Sequence, residues 1–245
     1  MKNNKLILKT VVASFVLLAV FFVQGAVVVI NKIDGAESAL IRGGIIWGLV
    51  IVTLLFFLIK NKSLSGLGFV KMEKGAAKRV LYFVPLLIIA FSHFTEGLEL
   101  GNGIEFVLAN IFLTVAIGMA EEIYFRGIIC NMWLEAGTMK AVLISSVLFG
   151  LCHFLNIAGG ASVAATILQI CFAFVYGLVF ALLFAIGKSI VPCVLLHALH
   201  DFCSFMSMDG SLQFEIVLGA IQFVIIVGYL IYLVKKAKAV TKQSL

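Results

Sequence analysis

The chain has 245 residues, of which 63% are hydrophobic and only 12% charged, and its mean hydropathy is +1.19. No soluble fold of this length tolerates that apolar fraction, so the expected class is all-α, a polytopic integral-membrane helical bundle. The net charge of +6 reports membrane topology rather than a nucleic-acid partner, because no basic stretch is interleaved with exposed aromatics.

In chain order, Lys2, Lys5 and Lys9 precede an apolar run that continues to Ile30. That run is too long for the core of a signal peptide and no small-x-small cleavage site follows, so a retained first span is expected. Further apolar segments read at 39–59, 80–95, 106–134, 140–157, 163–186, 189–207 and 214–234. With the first, at 6–30, they make about eight transmembrane helices of ~20 residues. The third is short, and the fourth is long with Glu121-Glu122 in its middle. One membrane-embedded domain, 1–245, is expected, with a motif-bearing core at 104–207.

Eight spans put both termini on one side of the membrane. That side then receives Lys2, Lys5, Lys9, Lys60, Lys62, Lys71, Lys74, Lys78, Arg79, Arg126, Lys140, Lys188, Lys235, Lys236, Lys238 and Lys242. The other side keeps Lys32 and Arg42, with the acids Asp34, Glu37, Glu96, Glu99, Glu105, Asp209 and Glu215. The positive-inside rule places both termini in the cytoplasm. The loop at 60–79 mixes basic and apolar residues; it reads either as a segment lying on anionic headgroups or as a plain topology determinant.

Six ionisable residues fall inside these apolar stretches: Glu121, Glu122, Arg126, His153, His197 and Asp201. A charge at the bilayer centre costs roughly 2.5–3.5 kcal/mol on insertion scales, so such residues pair, line a wet cavity or do chemistry. Glu122 and Arg126 stand four apart with the acid N-terminal, the favourable orientation for an ion pair on one helix face. Glu121, about 100° round the helix, is left to point into a cavity. Two carboxylates in one low-dielectric site suit general acid or base work.

His153 lies four residues after Phe149 on the same face. His197 and Asp201 also stand four apart, a spacing for two ligands of one metal or for a histidine oriented by a carboxylate. His200 is secondary by this spacing, and His93, beside Glu96, reads as interfacial. At 1.5 Å per residue, Glu121 and His153 lie ~20 Å deep, His197 ~12 Å and Asp201 ~18 Å, so the four groups can meet near the midplane. The five cysteines, all in apolar runs and none in a CxxC, read as small buried hydrophobes.

At these residues the chain resembles the CAAX protease and bacteriocin-processing family, also called the Abi family of intramembrane proteases. Its pattern is EExxxR, FxxxH and HxxxN or HxxxD on successive helices. Here the motifs read Glu121-Glu122-Ile-Tyr-Phe-Arg126, Phe149-Gly-Leu-Cys-His153 and His197-Ala-Leu-His-Asp201. The resemblance implies an endopeptidase in which Glu121 activates water and His153 assists. His197 and the residue at 201 stabilise the oxyanion, while Glu122 and Arg126 hold the helix geometry, with Phe149 in support. Asp201 departs from the asparagine variant, since an ionised Asp cannot donate to an oxyanion. It is therefore protonated, orients His197 or binds a metal. HExxH is absent. Zinc stays open: if a metal is present, Glu121, His153, His197 and Asp201 would hold it. The reading leans to the metal-free scheme.

The short chain is most similar to bacterial members, associated with peptide maturation and self-immunity. That implies a bacterial cell membrane and a small amphipathic or lipid-associated peptide substrate, reached from the cytoplasmic side or laterally. Two other readings are a non-catalytic immunity or signalling partner and a proton- or metal-coupled transporter, the latter disfavoured by the lack of an inverted repeat.

Overall fold

A computed structural model describes residues 2–208 and 210–243. Asp209 and the side chains of Lys2, Glu96, Lys238 and Lys242, which entered the charge reading, lie outside the described residues. Regular structure among the described residues is helical apart from one isolated bridge, Leu98 to Ser207. The helices are α1 (Lys2–Asn31), α2 (Gly35–Asn61), α3 (Ala76–Arg79), α4 (Val84–Ser92), α5 (Gly103–Glu122), α6 (Asn131–Trp133), α7 (Thr138–Cys152), α8 (Leu155–Ala158), α9 (Val163–Gly187), α10 (Val191–Phe205) and α11 (Leu212–Gln243). A π-helix, Ile123–Cys130, joins α5 to α6.

Among the described residues, six helical stretches are long and apolar enough to cross a membrane: Asn4–Asn31, Gly35–Asn61, Gly103–Ala136, Thr138–Ala158, Val163–Gly187 and Gln213–Ala237. The other two expected spans are shorter apolar helices, Leu81–Thr95 and Val191–Phe205. Fifteen residues rise only ~22 Å, less than a ~30 Å hydrocarbon core. The expectation of about eight spans thus resolves into six full-length helices and two short ones. The short α10 carries His197 and Asp201, and α9 packs as the most buried helix of the bundle.

One end of the bundle collects the basic segments. There Trp133 Nε1 donates to Thr10 Oγ1 of α1, Lys140 Nζ sits 5.0 Å from the Trp133 ring centroid, and Tyr229 and Tyr232 of α11 donate to the carbonyls of Val80 and Arg79. The 60–79 loop is pinned to this end. Leu67 and Ala76 are fully buried, Gly68 O accepts from Ile190 N, Glu73 N donates to Gly187 O, and Ser189 Oγ donates to Val70 O. Its apolar residues turn inward onto the α9–α10 junction, while Lys71 and Lys74 stay exposed.

Two close approaches place the helices that carry the motifs. A Cβ on Gly118 of α5 would stand 3.1 Å from both Val194 O and Ala198 N of α10. A Cβ on Gly177 of α9 would stand 3.0 Å from Ser146 Cα of α7. Small residues let helix backbones come this near, which is how membrane helices gain packing without a hydrophobic driving force between them. Pro192 in the first turn of α10 fixes the start of that helix, where its missing N–H costs nothing.

Candidate active site

The six ionisable residues come from three places in the bundle. Glu121 and Glu122 end α5, and Arg126 lies in the π-helix that follows. His153 caps the C-terminus of α7, and His197 and Asp201 sit on α10. A π-turn re-aims the side chains around it and recurs at functional sites. Here it follows directly on the acidic pair.

Glu122 is the hub. Its Oε1 accepts from Arg126 Nη1 at 2.8 Å and from His197 Nδ1 at 2.8 Å. Glu122 and Arg126 are both fully buried. Arg126 also donates through Nη2 to Gly177 O at 3.3 Å, and its guanidinium lies 4.4 Å from the Phe149 ring centroid and 5.4 Å from that of Phe180. A buried guanidinium is tolerated when a carboxylate, a carbonyl and aromatic faces replace its water. The expected same-face pair is therefore present, and it reaches further than spacing shows, to a histidine 75 residues away.

Both motif histidines have Nδ1 committed. His153 Nδ1 lies 3.0 Å from Phe149 O. A carbonyl only accepts, so Nδ1 carries the proton and Nε2 keeps its lone pair. His197 Nδ1 donates to Glu122, and its Nε2 faces Glu121 Oε2 at 3.7 Å and Asp201 Oδ2 at 3.6 Å. These separations exceed a hydrogen bond. Phe149 stands between the histidines, with ring centroids 5.4 Å from His153 and 5.8 Å from His197, and meets Phe125 edge-on at 5.2 Å.

Glu121, His153, His197 and Asp201 all line one cavity of about 640 Å³. Its other walls come from Leu17 to Ile30 of α1, from Arg42 of α2, and from Leu155, Asn156 and Gln169 around α8 and α9. The first two spans, which sequence distinguishes only as apolar helices, thus help to build the site. Asp201 stands on the Nε2 side of His197, whereas the partner that fixes Nδ1 is Glu122.

No group of three or more His, Cys, Asp or Glu side chains among the described residues is arranged to hold a metal ion. Of the ligand set left open by the resemblance, His153 and His197 each have Nδ1 engaged, by Phe149 O and by Glu122.

His93 and His200, read from the sequence as interfacial and secondary, lie beside one another. Their rings pack edge-on with centroids 5.0 Å apart, and His200 lies 4.9 Å from Tyr176. His93 Nε2, His200 Nδ1 and Tyr176 Oη are buried without a hydrogen-bond partner among the described residues. Of the cysteines, Cys130, Cys193 and Cys203 are buried as expected, while Cys152 is half-buried and Cys171 is exposed.

The fold and the charged centre define a polytopic helical membrane protein with a buried carboxylate–histidine site. Residues 103–203, which carry all three motifs, match the family model described as type II CAAX prenyl endopeptidase, Rce1-like. The match supports a function of the CAAX-type intramembrane protease kind. No curated protein and no solved structure matches the chain.

Proposed function

We propose that the protein is a metal-free, glutamate-type endopeptidase that hydrolyses a peptide bond in a small membrane-associated peptide. The observation that carries this reading is the double acceptance by Glu122 Oε1, which fixes His197 so that its Nε2 faces Glu121 across the cavity.

In this scheme a water molecule lies between Glu121 and His153. Glu121 takes its proton as the oxygen attacks the scissile carbonyl carbon, and His153, with Nε2 free to accept, holds the water's second hydrogen. The oxyanion forms beside His197. With Nδ1–H committed to Glu122, His197 donates from Nε2 as an imidazolium. Asp201, kept protonated, adds a second donor. The site then balances: Arg126 and His197 are positive, Glu121 and Glu122 negative, and Asp201 neutral, as burial requires. Collapse of the tetrahedral intermediate breaks the C–N bond, and Glu121 returns its proton to the leaving amine.

On this reading the basic end of the bundle, with both termini, faces the cytoplasm by the positive-inside rule, and the resemblance to bacterial members implies a bacterial cell membrane. The cavity runs along α1 toward the opposite end, which favours lateral access from the bilayer between α1 and α8. The whole chain acts as one membrane-embedded domain. The test is cleavage of candidate lipidated peptides by the purified protein in detergent, with and without chelator.

A further inference from the structure

A second cavity, of about 260 Å³, lies between the end of α10, the start of α11 and the short helical turn His93–Glu96. Its walls include His93, Ser204, Ser207, Glu215, Gly219 and Gln222. These residues of α11 come early in that helix, so the cavity sits at the end of the bundle away from the basic segments. Ser204 and Glu215 are exposed there. The two cavities share no lining residue among the described residues.

The last turns of α10 divide them. Asp201 and Phe205 line the main cavity, while Ser204 lines the second. His200, one position before Asp201, lies in this partition. Its ring meets that of His93, a wall of the second cavity, with centroids 5.0 Å apart, and that of Tyr176 of α9 at 4.9 Å. Tyr176 continues to Phe180 at 6.1 Å, and Phe180 stacks on His197 at 5.7 Å. A row of rings therefore runs from the second cavity to His197. There Asp201 Oδ2 and Glu121 Oε2 stand 3.6 and 3.7 Å from Nε2.

Three polar atoms along this row, His93 Nε2, His200 Nδ1 and Tyr176 Oη, are buried and have no hydrogen-bond partner among the described residues. An imidazole nitrogen donates or accepts, and a phenol does both. Buried groups of this kind are satisfied by protein or by ordered water, and three in adjoining rings beside a polar cavity offer water the partners that hold it inside a protein. Hydrolysis consumes water, and a lipid-associated peptide that enters from the bilayer expels it from the main cavity. Building on the endopeptidase reading, we propose that His93, His200 and Tyr176 hold a water path from the second cavity to the Asp201 side of the active site. By this path the hydrolytic water is replaced while substrate fills the main cavity.

The test uses the full-length protein in lipid nanodiscs and radiolytic hydroxyl-radical labelling, read residue by residue by mass spectrometry. Tyr229 is the dry control, since it too is buried and its hydroxyl donates to Val80 O. Tyr176 should label about fivefold or more above Tyr229, with His200 labelled as well. Gly219 provides a plug. Nothing lies within 4 Å of a Cβ there, so Gly219→Phe has room to enter the second cavity, and Gly219→Ala is its conservative twin. Gly219→Phe should return Tyr176 to the Tyr229 level and lower kcat about tenfold at unchanged KM, while Gly219→Ala behaves as wild type. A plug that merely distorts the fold would lower the unfolding midpoint and raise KM. In that event Tyr176→Phe, which removes one water partner and keeps the ring, carries the kinetic test, with kcat lowered and KM unchanged. Labelling of Tyr176 no higher than that of Tyr229, or labelling that survives Gly219→Phe, overturns the path. Labelling removed by Gly219→Phe with kcat unchanged overturns its role in supplying the reaction. Labelling removed by Gly219→Phe with no cleavage by wild type takes away the endopeptidase reading and keeps the path; cleavage with a dry Tyr176 does the reverse.

Discussion

Glu122 and His197, 75 residues apart in sequence, share a 2.8 Å contact through Oε1 and Nδ1. The same oxygen receives Arg126, so one carboxylate ties the end of α5 to α10 and fixes the face that His197 turns to the cavity. Removing Arg126 leaves that carboxylate buried without its cation. Arg126→Ala is expected to destabilise the protein by about 3–5 kcal/mol, read as a fall in unfolding midpoint in detergent. Glu121→Ala, which removes a group facing the cavity, should leave the midpoint nearly unchanged.

Asp201 gives a sharper test of chemistry. If it donates to the oxyanion, Asp201→Asn keeps a donor at that position and retains most cleavage. Asp201→Ala loses it, with kcat falling by about 10²–10³. Loss of activity in both variants would mean that the carboxylate itself is required.

Gly118 holds α5 against α10 at backbone contact. Gly118→Val forces the helices apart at the point between the Glu121-Glu122 pair and His197. Overpacking of this kind costs about 1–3 kcal/mol. Cleavage by the variant should drop more than its stability does, measured as kcat alongside the unfolding midpoint.

Much of this architecture was legible in the sequence. The apolar runs gave the helices, and the i, i+4 spacing gave the Glu122–Arg126 pair and the shared face of Phe149 and His153. Local spacing does not reach beyond one helix. It misses the Glu122–His197 contact, the pairing of His93 with His200, and the wall that α1 and α2 contribute through Gln24 and Arg42. The π-helix escapes it too, because its apolar residues suit an α-helix equally well. For Asp201 the spacing and the resemblance together left three roles open, and local spacing could not show that Glu122 holds Nδ1 of His197 while Asp201 stands on the Nε2 side.

Chelation separates the two reaction types that the motifs allow. Under the carboxylate–histidine scheme, prolonged treatment with EDTA or 1,10-phenanthroline leaves cleavage unchanged, and added zinc does not raise it. Loss on chelation with recovery on zinc would establish a metal.

The most direct measurement is cleavage of a lipidated peptide library by purified wild type and by Glu121→Ala, with folding of both checked by unfolding midpoint. The account expects cleavage by wild type and a fall of about 10²–10⁴-fold in the folded variant. Undiminished cleavage by Glu121→Ala, or none by wild type while the protein's membrane phenotype survives Glu121→Ala, His153→Ala and His197→Ala, would contradict it.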